Sequence, residues 1–186
     1  MGTYPGSWCE QWATGKVRAA MGALWQAGTR CARAGEVAMD RRRREAARIV
    51  LIDEDGRTLL IRGLDPTDPA AGSWWFTPGG GREGDETQEE TARREVLEET
   101  GFEVGQMSGP VLHREFDIVF VGEPIHQSEV YFVAHVPAFE PRSAGWTELE
   151  RTSFLDHRWW SPEEIEASTE FIFPVNLAEL VRRHRA

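Results

Sequence analysis

Apolar and polar positions are patterned most clearly in the middle and C-terminal parts of the chain, and changes of period mark its elements. Ile49-Val50-Leu51-Ile52 is a short apolar run, followed by the turn-forming Asp53-Glu54-Asp55-Gly56 and a second run, Thr58-Leu59-Leu60-Ile61. Together these predict a β-hairpin. The stretch from Asp65 to Gly72 carries Pro66 and Pro69, reads as a loop and leads to Trp74-Trp75-Phe76, after which Pro78-Gly79-Gly80-Gly81 breaks the pattern. A helical period follows. Thr87 and Glu90 have the spacing of a capping box, Ala92, Val96 and Leu97 offer a side to bury, and Gly101 supplies the stop. A helix of about thirteen residues is predicted between them. Beyond it, Val111 to Val121 and Ser128 to Val136 read as longer strands, then a loop from Pro137 to about Asp156 and a short strand at Arg158 to Trp160. Helices are expected near Pro162 to Ala167 and Asn176 to Arg183. Strands with helices on either side predict an α/β fold, an α/β/α sandwich with a mixed β-sheet.

Residues 1 to 45 stand apart. They hold both cysteines, Cys9 and Cys31, three of the tryptophans and the only lysine, Lys16. Val17, Met21, Leu24 and Trp25 have amphipathic helical spacing, but Gly22, Gly28 and Gly35 weaken it. The expectation is a poorly ordered or weakly helical N-terminal extension over 1–45 and a folded domain over 46–186. Met39, directly before Asp40 and the Arg41 to Arg44 run, marks an expected alternative start of translation. The arginine run is expected to be solvated at a flexible terminus.

At 186 residues the chain can bury one substantial core. No apolar stretch approaches the roughly 18 residues of a membrane span, and no basic-then-apolar leader opens the chain, so a soluble, cytoplasmic protein is expected. The two cysteines lack metal-type spacing, which sets thiolate chemistry aside. A formal charge of -10 argues against binding polymeric nucleic acid. It leaves room for a small phosphorylated ligand, because a bound divalent cation reverses the local field.

The capped helix places Glu95, Glu98 and Glu99 at i, i+3 and i+4, on one face within about one turn. A solvated acidic face is the plain explanation for such a group. The glycine-rich turn just before the helix favours another, since bare backbone lets a ligand approach. Carboxylates without neighbouring histidine or thiolate suit Mg²⁺, with Mn²⁺ as a substitute, better than zinc.

From Gly80 the segment GGREGDETQEETARREVLEETGF resembles the Nudix box, in which Gly80, Glu86, Arg94, Glu95, Val96, Glu98, Glu99 and Gly101 fill their places and Phe102 is a soft match. The resemblance identifies the chain as a member of the Nudix hydrolase family with a Nudix-type sandwich. It implies metal ligation by Glu95, Glu98, Glu99 and the Gly79 carbonyl, and structural roles for Gly80, Glu86, Arg94 and Gly101, with Glu86 paired to Arg94. It further implies that a metal-polarised water attacks a diphosphate bridge in a nucleoside diphosphate derivative. Such a substrate could be a nucleotide sugar such as ADP-ribose, a dinucleoside polyphosphate or a nucleoside triphosphate. Family members are often dimers, so a homodimer is a further expectation.

The general base stays open between Glu98 and Glu99 in the box and Glu129, Glu148 or Glu150 outside it. Arg62 and Arg114 are candidates for holding phosphates, and Trp75 or Trp74 for stacking on a base, whereas Trp159 and Trp160 read as core. The five histidines show no paired metal spacing and read as structural or exposed. A binding module that senses a nucleotide without cleaving it is the competing reading, and the intact set of box carboxylates argues against it.

Overall fold

The computed structural model describes residues 41–142 and 146–185. The expected N-terminal helix, both cysteines and Met39 lie outside the described residues. The residues from Arg41 to Ala186 form one compact unit.

Its elements in chain order are β1 (Arg42–Ile52), β2 (Thr58–Leu64), β3 (Ser73–Phe76), β4 (Gly79–Gly81) and α1 (Gln88–Thr100). Then follow β5 (Ser108–Phe120), β6 (Glu123–His135), α2 (Glu148–Ser153), β7 (Phe154–Trp160), α3 (Pro162–Ala167), β8 (Ile172–Phe173) and α4 (Leu177–His184). The eight strands make one mixed sheet in the order β5-β6-β1-β2-β3-β8, with β4 paired to β1 and β7 to β2. The β1–β6 and β3–β8 pairs are parallel, and the others are antiparallel. No helix among the described residues is long and apolar enough to cross a membrane.

Three departures from the sequence pattern have physical reasons. Arg42 to Arg44 belong to β1, not to a flexible terminus, because β6 runs parallel beside them from the Arg42–Ile125 pair onward and satisfies their backbone, while Arg42 and Arg43 are exposed as expected. Gly79–Gly81 is not a break but a strand against β1, pairing Ala46 with Gly81 and Arg48 with Gly79. The expected hairpin of β1 and β2 is in register only at Ile52 and Thr58. Past that point the strands part, and β4 takes the vacated edge of β1.

Alternation along β1 and β6 then divides the core in two. Ala47, Ile49 and Leu51 with Val130, Phe132 and Ala134 pack against Ala92 and Val96 of α1. Val50 and Ile52 with Tyr131 and Val133 pack beneath Leu177, Leu180 and Val181 of α4. Each buried aliphatic side chain contributes about 1.5–3 kcal/mol. With helices burying apolar stripes on opposite faces, the sheet is the centre of an α/β/α sandwich. Helix α1 begins with the capping box: the Thr87 hydroxyl accepts from the Glu90 amide and the Glu90 carboxylate accepts from the Thr87 amide. It ends at Gly101, whose φ of 71° is left-handed.

The β5–β6 hairpin turns through Val121 and Gly122, with φ of 52° and 75°. Such a two-residue turn favours Asn-Gly, and a β-branched residue in the left-handed region is strained. The Val121 amide donates to Asp65 Oδ2 at 3.0 Å, which ties the tip to the loop after β2. Val121→Asn keeps that backbone donor and removes the strain, so the urea unfolding midpoint should rise by the equivalent of about 1 kcal/mol. A lower midpoint would show that the valine side chain stabilises the tip through contacts that outweigh its backbone cost.

Candidate active site

Helix α1 carries the acidic residues because Ala92 and Val96 anchor its inner face, leaving Glu95 and Glu99 at the border between core and cleft. Glu95 is 7% and Glu99 3% exposed. Leu97, expected on the buried side, is instead 44% exposed. From the far side α2 brings Glu150, so that Glu95, Glu99 and Glu150 each offer an oxygen within 4.8 Å of the others. Glu150 is held there by its own capping box, its Oε2 accepting from the Thr147 amide at 2.6 Å. Glu98 does not join this convergence. Its Oε2 accepts from Arg94 Nη1 at 2.9 Å, and its side chain is 40% exposed.

Desolvation dominates this cluster. Burial, then repulsion from Glu95, pushes the Glu99 carboxyl well above its ordinary range, against the pull of the Gly79 amide and Arg48. Burial also raises Glu95, and Glu98 and Glu150 add to this against the attraction of Arg94. Buried, mutually repelling carboxylate oxygens fit a hard divalent cation.

Arg94 organises the loop before the helix. Its Nε and Nη2 donate to the two oxygens of Glu86 at 2.7 and 3.1 Å, Nη2 also to the Gly81 carbonyl, and Nη1 to Glu95 at 3.0 Å. Hydrogen bonding from Arg94 holds the Glu86 carboxyl down at about 2. Gly79 places its amide 2.8 Å from Glu99 Oε2, while its carbonyl, expected at a metal, accepts from Arg48 Nη1 at 3.0 Å. A Cβ on Gly80 would lie 2.5 Å from the Glu95 carboxylate, so only glycine lets backbone pass so close.

The other side of β4 is basic. Arg48 donates to Glu129 Oε1 at 2.7 Å and to the Thr77 and Gly79 carbonyls, each at 3.0 Å. Tyr131 donates to Glu129 Oε2 at 2.7 Å, and Arg114 lies 3.7 Å from the same oxygen. Burial alone would raise the Glu129 carboxyl, but Arg48, Tyr131 and Arg114 outweigh it and hold the group below its ordinary value. Both oxygens of Glu129, one of the expected candidate bases, are thus engaged by donors.

Trp75 and Arg62 are engaged by other partners. Trp75 is 3% exposed and meets Trp160 edge to face at 5.2 Å, so its ring presents no face to a ligand. Alternation turned it, not Trp74, into the core beneath α4. Arg62 donates to Ser73 Oγ at 2.9 Å and pairs with Glu170 at 3.4 Å, contacts that lie outside the carboxylate cluster. Glu148 is exposed at the start of α2. Trp160 is in the core beneath α4, and Trp159 is partly buried against the core on the α1 face. His113 and His126 sit among exposed polar partners, as does His157.

Residues 42–181 match the family model described as NUDIX domain. The chain belongs to the Nudix family. Among known proteins, a MutT-like protein from Streptomyces ambofaciens is 28% identical over 132 residues, covering 70% of this chain and 71% of that protein. The fold is shared with a MutT NUDIX hydrolase from Burkholderia pseudomallei, with a TM-score of 0.57 and 22% identity over 77% of this chain and 99% of that one. It is also shared with a MutT protein from Methanosarcina mazei Go1, with a TM-score of 0.56 and 21% identity over 78% and 95% of the two chains. The protein is a Nudix hydrolase, and its general class is that of enzymes hydrolysing pyrophosphate linkages in nucleoside diphosphate derivatives.

Arg48, Tyr131 and Gln127 escaped notice in the sequence as site residues, and Arg44 was read only as part of a solvated run. The available signal was parity: Arg44 and Arg48 share a strand face, as do Gln127, Glu129 and Tyr131, and β1 and β6 run in register. Two expectations follow for this Nudix hydrolase. Arg48→Met strands a buried carboxylate and should cost about 3–5 kcal/mol, read as a drop in urea midpoint that the added change Glu129→Met largely restores. A small loss in the single variant would reject the pairing. The Glu86 carboxyl, lowered from its ordinary 4.5 to about 2, should contribute stability fully above pH 4.5 that fades as pH falls toward 2. The midpoint difference between wild type and Glu86→Gln should shrink across that window, and an undiminished difference at its acid end would contradict the assignment.

Proposed function

We propose that this protein is a divalent-metal-dependent hydrolase, served best by Mg²⁺ with Mn²⁺ as a substitute, that cleaves the diphosphate linkage of a nucleoside diphosphate derivative. The observation that carries this reading is the convergence of Glu95, Glu99 and Glu150 beneath the box glycines, two of them buried and raised chiefly by that burial, with repulsion from neighbouring carboxylates adding to it. A cation there would polarise a water and the nonbridging oxygens of the diphosphate.

The chain's own residues divide the remaining work. Glu95 and Glu99, fixed on one helix face, would hold the cation. Arg94 orients Glu95 and keeps Glu98 turned aside. The Gly79 amide fixes which oxygen of Glu99 faces inward. Glu150 approaches from a separate helix, and we assign it to take the proton from the attacking water. Its second oxygen is committed to the Thr147 amide, which fixes the direction in which it can accept. Glu98, held by Arg94 outside the convergence, would be at most an outer ligand.

The test is product release from nucleoside diphosphate sugars, dinucleoside polyphosphates and nucleoside triphosphates, with and without Mg²⁺. Wild type should turn over at least one class only with metal. Glu99→Gln should abolish the metal response, and Glu150→Gln should lower kcat about 10²- to 10⁴-fold at saturating Mg²⁺. Binding without turnover in wild type would turn the reading toward a nucleotide sensor, and an unchanged rate in Glu150→Gln would remove it as the base.

A further inference from the structure

The face of the sheet opposite α1 carries more positive charge than its carboxylate can answer. Arg44, Arg48 and Arg114 surround the single Glu129. Arg48 is ion-paired, donating to Glu129 and to two carbonyls. Arg114 is shared between Glu129, the Tyr131 hydroxyl at 3.1 Å and the Phe116 ring. Arg44 differs from both. Among the described residues no carboxylate lies within salt-bridge distance of it, and its one side-chain hydrogen bond is Nη1 to Gln127 Oε1 at 3.2 Å.

A half-buried guanidinium without an ion pair is costly, since burial withdraws water from a charge that nothing replaces. Desolvation and then repulsion from Arg48 lower the Arg44 pKa, against attraction from Glu95 and Glu129. Its plane lies on bare backbone, where a Cβ on Gly81 would meet Nη2 at 2.9 Å and Nε at 3.0 Å. One residue earlier on β4, Gly80 lies on the Glu95 carboxylate. The acidic cluster and the spare guanidinium are thus separated by one strand that has no side chains. Four of the five N–H groups of Arg44 are left for a ligand with several acceptor oxygens, and phosphate matches that fork.

We propose that Arg44, supported by Arg114, forms an anion subsite beside the carboxylates that takes a phosphate beyond the scissile diphosphate. The enzyme thereby favours substrates with three or more consecutive phosphates over nucleoside diphosphate sugars. This rests on the reading that the carboxylate cluster holds the diphosphate, and it names the substrate class within that reading.

Calorimetric titration with inorganic triphosphate and with pyrophosphate, in the presence of Ca²⁺, separates the two questions because it needs no turnover. Wild type should bind triphosphate at least about 10-fold more tightly than pyrophosphate, and Arg44→Met should bring the ratio near one, with Arg44→Lys between them. In steady-state assays the ratio of kcat/KM for a nucleoside triphosphate to that for ADP-ribose should fall with the same order. Because Arg44 has no ion pair and repels Arg48, Arg44→Met should fold with a thermal midpoint no lower than wild type. A midpoint several degrees lower would make Arg44 a structural residue and overturn the proposal. So would a wild-type ratio near one, a ratio unmoved by Arg44→Met, or an equal loss of both ligands, which would place Arg44 on the diphosphate itself. Failure of the hydrolase reading would appear separately, as retained phosphate binding with no nucleotide consumed.

Discussion

Between the carboxylates of α1 and the guanidinium groups of β1 lies a single extended backbone, Gly79–Gly81, and its lack of side chains sets every distance in the site. A Cβ on Gly79 would come within 2.3 Å of the Ala47 carbonyl, one on Gly80 within 2.5 Å of Glu95, and one on Gly81 within 2.9 Å of Arg44. These contacts leave no slack for even a methyl group. The strand can lie there only because β2 leaves β1 after one pair, so the opening of a hairpin and the closing of a site are one event.

Charge is sorted across that strand. One side gathers carboxylates at the cost of their solvation, and the other gathers arginines. Each side is steadied by a guanidinium that also grips backbone: Arg94 holds the Gly81 carbonyl, and Arg48 holds those of Thr77 and Gly79. Fixing carbonyls and carboxylates with the same planar fork ties the position of the loop to the state of the acids. The arrangement is poor for stability taken alone, since like charges are held together and desolvated. Such strain is expected where a ligand of opposite charge completes the structure.

Much of this was legible in order along the chain. The capped helix, its glycine stop and its three glutamates are local signals, written within a few residues of one another, and α1 starts and stops where they indicate. The elements that were misread depend on partners distant in sequence. Arg42 to Arg44 and Gly79 to Gly81 carry no apolar period, so nothing local marks them as strands; β6 and β1 make them so. Glu150 was one of several acids in a stretch taken for loop, although Thr147 and Glu150 repeat the cap spacing of α1. Trp75 and Arg62 were named for chemistry they could perform, and their positions turned on which face of β2 and β3 met α4 and Glu170.

Helix α2 spans six residues, too few to persist on their own, since nucleating a helical turn fixes several dihedrals for one hydrogen bond. The Glu150 carboxylate closes the cap of this helix and also offers an oxygen to the cluster with Glu95 and Glu99. The helix–coil equilibrium of this segment and the filling of the acidic cluster are therefore linked functions of the same carboxylate. Whatever neutralises the cluster also lowers the free energy of the folded turn, and whatever unwinds the turn withdraws a carboxylate from the cluster. Affinity and local order in this enzyme are two readings of one thermodynamic cycle.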